Sequence, residues 1–146
     1  MRQPLLVLVL VLLAMLAPPA RADDQAIQQY QTLLTPLLKS GSDVLGQPLV
    51  FPAEPADVTA AIVTVAPGAE TGWHLHEVPL FAHILEGELT VDYGEKGTKT
   101  YRAGDSVLEA MNWPHNGTNT GTAPMRLIAV YMGGGGRQNT VAVPAP

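Results

Sequence analysis

Cysteine is absent from this chain of 146 residues. Its absence excludes disulfides, thiolate metal ligands, a nucleophilic thiol and anchoring through a lipidated N-terminal cysteine, so the fold rests on its core alone. Basic residues are scarce: 8 Lys and Arg stand against 13 Asp and Glu, a formal net charge of −5. Nothing in that balance draws the chain to nucleic acid or to an anionic membrane surface. No phosphate-cradling loop is present, because the glycine run at 133–136 follows a strand-like segment and has neither a P-loop lysine nor a helix after it. Ser106 and Asp105 have no suitably spaced histidine to complete a hydrolytic triad. No internal repeat stands out.

Long apolar runs are also missing. The longest, Leu5 to Ala17, falls short of the roughly 20 residues that span a bilayer. Arg2 precedes it, and Ala20-Arg21-Ala22 follows before Asp23. A basic start, an apolar middle and an A-x-A site form a secretory signal peptide, expected over residues 1–22 with cleavage after Ala22. Cleavage removes Arg2 and Arg21 and no acid, which takes the formal charge from −5 to −7. The expected destination is the periplasm or the exterior of a bacterial cell, with no membrane attachment afterwards.

The rest is organised as a helix followed by strands. Ile27, Tyr30, Leu33, Leu34, Leu37 and Leu38 recur at helical spacing, predicting a helix over 23–40, kinked or restarted at Pro36 and ended by Gly41. Residues 23–46 thus form an N-terminal helix and connector. From Gln47 the pattern turns to short β-rich pieces punctuated by Gly and Pro: 49–51, 58–66, 80–85, 88–93, 98–102, 106–110 and 125–132. Such spacing argues for one all-β domain over 47–136, a sandwich or barrel, with 137–146 as a C-terminal strand or loose tail.

What the sequence does have is a spaced set of histidines. His74 and His76 lie one residue apart, and His115 follows just past a second turn. Imidazole is the commonest metal ligand near neutral pH. Two residues at i and i+2 on a strand face the same way, and a third ring closes a site if the chain folds back.

The neighbourhoods of these histidines resemble the two motifs of the cupin superfamily. Gly68, His74, His76 and Gly87 match the first, G-x5-H-x-H-x3,4-E-x6-G, and Gly104, His115 and Asn119 match the second, G-x5-P-x-G-x2-H-x3-N. The resemblance covers about residues 58–132 and implies a cupin-type jelly-roll β-barrel with one N-terminal α-helix. It also departs from the pattern. The motif glutamate falls at Leu80, and the second motif's Pro and Gly fall at Ala110 and Asn112. Asn112 can still adopt the left-handed backbone that Gly would supply.

Carried over by position, the resemblance leaves His74, His76 and His115 as ligands of a divalent ion, Fe, Mn, Ni or Zn. Three-histidine sites leave positions open for water or substrate. Glu109 is a further candidate, since a carboxylate in an apolar strand must be paired or coordinated. His83 is another, although its parity turns it away from the pair unless Pro79 introduces a bulge. Trp73 and Trp113 flank the ligands as core packing or an aromatic rim. By family analogy the expected function is an exported metal-binding protein, a dioxygenase-like oxidoreductase acting on a small organic molecule. The alternative is a non-catalytic periplasmic protein that binds a metal or small ligand. Cupins commonly dimerise, so a homodimer is also expected, through an edge strand or the N-terminal helix.

Overall fold

The computed structural model describes residues 22–146. The signal peptide expected over 1–22 therefore lies outside the described residues, apart from Ala22. The chain divides after Thr35 into two compact units. The first contains helix α1, Ala22–Gln31, much shorter than the periodicity predicts. Its end is local chemistry. The Thr32 hydroxyl donates to the Gln29 carbonyl, and Leu33 N–H and Leu34 N–H bond three residues back, to Tyr30 and Gln31. Thr35 then precedes a proline, which disfavours helical backbone. Leu33, Leu34, Leu37 and Leu38 consequently lie beyond the helix and are exposed. Among the described residues no helix is long and apolar enough to cross a membrane.

The second unit, Pro36–Pro146, is built from nine strands. They are β1 Ala56–Val65, β2 His74–Leu75, β3 Leu80–Glu86, β4 Glu88–Asp92, β5 Thr98–Arg102, β6 Ser106–Leu108, β7 Asn116–Thr118, β8 Met125–Gly134 and β9 Val141–Ala142. All pairings between them are antiparallel. One sheet has the order β1-β8-β3-β6, a second β5-β4-β7, and β2 pairs with β9. This is a jelly-roll sandwich whose ladders do not join into one closed barrel. The segment 49–51 is not a strand. Its place is marked only by an isolated bridge from Ser42 to Pro48, because Pro48 and Pro52 withhold ladder donors on either side.

One core joins the two larger sheets. Leu80, Ala82 and Ile84 of β3, Leu127 and Ala129 of β8, and Val107 of β6 meet Leu89 and Val91 of β4 and Tyr93 just beyond it. The period-2 alternation of β3 and β4 puts these residues on inner faces. The turn between β3 and β4 requires glycine: Gly87 has φ +77°, and a Cβ there would sit 2.9 Å from the Met125 Cα and from the Pro124 carbonyl oxygen. A 3-10 turn, Gly94–Lys96, links β4 to β5.

Candidate metal centre

Backbone pairing gathers the histidines. His74 N–H donates to the His115 carbonyl at 3.0 Å, and His115 N–H returns a bond to the His74 carbonyl at 2.9 Å. Residues directly opposed in an antiparallel pair share a face. His76, two residues along, joins them there. Asn112 N–H donates to the His76 carbonyl at 2.8 Å. Asn112 takes φ +52°, the one positive φ among non-glycine residues described, so it does adopt the backbone form of the motif glycine it replaces. Asp43 fixes the same turn: its carboxylate accepts from Met111 N–H at 3.1 Å and from the N–H groups of Leu45 and Gln47 at 2.9 Å each.

The three ring centroids stand 4.9 Å (His74–His76), 4.5 Å (His74–His115) and 5.0 Å (His76–His115) apart. One potential ligand atom from each ring lies within 4.8 Å of the others. Every Nδ1 meets a backbone carbonyl: Gly72 at 2.7 Å for His74, Asn139 at 2.7 Å for His76, and Trp113 at 2.8 Å for His115. A carbonyl only accepts, so each Nδ1 carries the proton, and each Nε2 is left with its lone pair. This is how a metal-ligating histidine is oriented by a supporting hydrogen bond. Burial lowers the pKa of all three rings, that of His76 to about 3, although the carbonyl contacts oppose the shift. The rings are thereby held in the neutral form that donates to a metal. Donor set, tautomers and spacing fit a divalent metal ion.

The rings open on a cavity of about 80 Å³. Its walls are mostly apolar and come from β1, β3, β4, β6 and β8, with Leu80 among them. The position where the family motif carries glutamate thus points into the cavity and brings it no carboxylate. Glu109 lines the same cavity, only 7% exposed, but stands outside the three-histidine ligand cluster. Its Oε1 accepts from Ala110 N–H at 2.7 Å, and the Tyr93 side chain lies near its carboxyl. Burial pushes its pKa up. Tyr93 and Tyr101 bond each other through their hydroxyls at 3.2 Å, and burial raises the pKa of both, that of Tyr101 to about 12.

His83 is not brought to the cluster. It lies on the face of β3 opposite Ala82 and Ile84, and its Nδ1 meets the Ser106 hydroxyl at 2.8 Å. No bulge at Pro79 reverses its parity. The irregularity in β3 comes later, between Ile84 and Glu86. Trp73 and Trp113 do not line the cavity; Trp113 donates its Nε1–H to the Tyr93 carbonyl at 2.9 Å. Sequence reasoning misses Asp43 and the cavity-wall tyrosines Tyr101 and Tyr131. Asp43 sits in an irregular loop that carries no periodic signal.

Residues 61–131 match the family model described as the cupin domain. No curated protein sequence matches the chain. Among solved structures, the chain is similar to a protein from Bacillus halodurans at 21% identity and TM-score 0.49, over 58% of this chain and 69% of that one. It is similar to oxalate decarboxylase of Lactobacillus farciminis in a formate complex at 21% identity and TM-score 0.51, over 59% and 26%. It is also similar to a chain from a study of DMSP lyases at 18% identity and TM-score 0.52, over 60% and 44%. The chain thus spans about a quarter of the decarboxylase and under half of the lyase chain. At these identities the likeness is one of fold. Residues 61–131, which hold the motif residues Gly68, His74, His76, Gly87, Gly104, His115 and Asn119, are a cupin domain.

Proposed function

We propose that this protein holds a divalent metal ion on Nε2 of His74, His76 and His115 and works on a small organic molecule admitted to the apolar cavity beside it. The observation that carries the reading is the uniform tautomer: three imidazoles, each with Nδ1 tied to a backbone carbonyl, all leave Nε2 free. When bound, the ion supplies Lewis acidity and open positions for ligands. The chain's own contribution is positioning and exclusion. Apolar walls limit water, and the buried Glu109 carboxyl, its pKa raised, can hold or pass a proton beside a ligand.

The favoured reaction class is a dioxygenase-like oxidation, with iron as the first metal to test among Fe, Mn, Ni and Zn. Oxalate decarboxylase and DMSP lyase, which share the fold, keep decarboxylation and elimination in the screen. The alternative of binding without turnover is favoured by one feature, Leu80, which leaves the motif carboxylate position without a ligand or base. The N-terminal pattern supports export to the periplasm or beyond. Cell fractionation, with mass spectrometry finding Asp23 as the first residue, checks that part.

The central experiment is metal analysis of the purified protein, followed by titration of the stripped protein with Co(II) and oxygen-uptake assays on diols, thiols and flavonoids. One equivalent of metal, with the spectrum of a nitrogen-ligated Co(II) lost on His76→Ala, is the expected result. A protein that stays metal-free with every plausible ion overturns the proposal. Metal binding without turnover selects the binding-protein reading.

A further inference from the structure

The three rings are not held alike. His74 Nδ1 donates to the Gly72 carbonyl and His115 Nδ1 to the Trp113 carbonyl, each two residues back on its own segment. Those two tautomers are set wherever the segment itself takes shape. His76 Nδ1 donates instead to the Asn139 carbonyl, 63 residues away. The Thr140 hydroxyl also stands 3.5 Å from His76 Nδ1, too long to hold the ring. A hydroxyl can donate as well as accept, so it would not choose a tautomer; a carbonyl, which only accepts, does.

The segment that bears Asn139 is shaped to reach this ring. Strand β8 runs into the glycines at 133–136. A Cβ at Gly134 would sit 2.7 Å from the Pro55 carbonyl oxygen, and one at Gly133 would sit 3.0 Å from the Asp57 carbonyl oxygen and 3.3 Å from Asn139 Oδ1. These glycines let the chain pass close against the start of β1 and leave room for the Asn139 side chain. Arg137 N–H then closes a turn on the Gly134 carbonyl at 3.2 Å. The returning stretch is pinned on both sides of the Asn139 carbonyl. Gln138 N–H donates to Glu77 Oε2 at 2.9 Å, and Asn139 Nδ2 donates to Thr59 Oγ1 of β1 at 3.0 Å. Beyond it, β9 pairs with β2, and Val143 N–H donates to the Trp73 carbonyl at 3.1 Å.

We propose that residues 138–143 are the positioning element of the metal centre and that Asn139 is its central residue: anchored on Thr59, it aims its carbonyl at His76, keeps the proton of that ring on Nδ1 and leaves Nε2 for the ion. The inference rests on the metal reading given above. It makes the site conditional. His74 and His115 are preset by their own segments, and the third ligand is completed only by the docked stretch. Metal binding and docking of 138–143 are then one linked equilibrium, each strengthening the other by the same factor.

Two measurements on the full chain test this. Imidazole nitrogen NMR of the metal-free protein at neutral pH reports which nitrogen of each ring carries the proton, and Co(II) titration reports affinity. The parent should carry all three protons on Nδ1. Asn139→Ala combined with Val143→Pro releases the stretch on both sides of the carbonyl and spares every ring and the β1–β8 ladder. It should give His76 a mixture of tautomers with His74 and His115 unchanged, and weaken Co(II) binding about 10- to 100-fold. Should that variant fail to fold, Thr59→Val decides, because Thr59 is exposed and outside the cavity lining. It should cost about two- to fivefold in Co(II) affinity, the fold-change of one neutral hydrogen bond, and Thr59→Ser should keep the parent affinity and spectrum. His76 held wholly on Nδ1 in the released variant, Thr59→Val indistinguishable from the parent, or all three rings shifting together overturns the inference. The spectra separate it from the metal reading. A His76-selective shift in a protein that binds no Co(II) sinks the metal and leaves the segment as what orients the ring, whereas one equivalent of Co(II) without a selective shift sinks the positioning alone.

Discussion

A histidine whose Nδ1 is committed to a carbonyl has one nitrogen left to give, and three such rings here share one cavity. Because burial lowers their pKa values, that of His76 to about 3, protons compete weakly with a metal. Three ordinary imidazoles with pKa near 6.5 would each be half protonated at that pH and together lose about eightfold in affinity. We expect less than about twofold loss in Co(II) affinity between pH 8 and pH 6.5, with almost no proton release in calorimetry. An eightfold loss would show that the rings titrate normally. The same shifts have the opposite consequence for the metal-free fold. Below the ordinary value of 6.5 the unfolded chain takes up protons that the folded rings refuse, so stability falls with pH from there toward the folded pKa values. Glu109 works the other way: its raised pKa gives a contribution that is full below the ordinary 4.5 and is lost as pH rises through the folded value. His76→Ala should cost more than about 100-fold in metal affinity, beyond the 10–100-fold typical of losing only a supporting hydrogen bond. Leu80→Glu is the informative complement. It places a carboxyl where the wall is apolar, so the metal-free protein should lose about 2–4 kcal/mol, while metal binds more tightly. If metal binding weakens instead, the ion does not sit near position 80.

Elements carry the rings, and two polar or special residues hold the elements. Asn119 is fully buried; its Nδ2 donates to the carbonyls of Val65 at 2.8 Å and Ala123 at 2.9 Å, and its Oδ1 accepts from Gly121 N–H at 3.0 Å. It ties the end of β1 to the turn before β8. Asn119→Ala leaves those buried groups unpaired and should destabilise by roughly 2–4 kcal/mol in urea unfolding, with the metal still bound at one equivalent. Gly87→Ala should cost about as much, since its Cβ meets backbone at 2.9 Å, whereas Gly68→Ala, at φ +73° with nothing within 4 Å, bears backbone strain alone, roughly 1 kcal/mol. Equal losses at the two glycines would contradict the close approach at Gly87. These positions also show what the chain discloses on its own. Strands β1, β3, β4, β5 and β8 were legible because five or more residues alternate or run apolar between breakers. The histidine pair, the second-motif histidine and the turn role of Asn112 were legible from spacing. Strands β2 and β7 were not, since two or three residues carry no period, and they exist through pairing with β9 and β4. The helix was overextended because the apolar spacing of Leu33 to Leu38 continues through Thr32 and Thr35-Pro36, where local bonds and the proline end it. Glu109 stands out in the sequence by its apolar surroundings, but its neighbour Tyr93 comes from another sheet region, and its place outside the ring cluster is a product of packing that no spacing encodes.

At the scale of the whole β-unit, the histidine cluster is a junction between segments with few other ties. His74 belongs to a two-residue strand whose ladder partner is the equally short β9, and His76 reaches the stretch after β8 through its bond to the Asn139 carbonyl. His115 arrives just before β7, at the edge of the three-stranded sheet. An ion held by all three would therefore staple the 72–76 segment, the 111–115 turn and the 139–142 segment together, places where short strands alone give little cooperativity. Binding to the folded chain only should stabilise it by RT ln(1 + [L]/Kd), about 2.7 kcal/mol when the free ion stands at 100 times Kd. A unit of this size should then melt roughly 10–15 °C higher with metal than after EDTA treatment. Hydrogen exchange should show the added protection concentrated at residues 72–76, 111–116 and 139–143, while β1, β8 and β3 exchange at rates set by global unfolding. The His76→Ala protein should melt at one temperature with or without EDTA. If EDTA lowers the melting point of the parent and of His76→Ala alike, the ion responsible binds elsewhere, and the three imidazoles are a packed cluster rather than a metal centre.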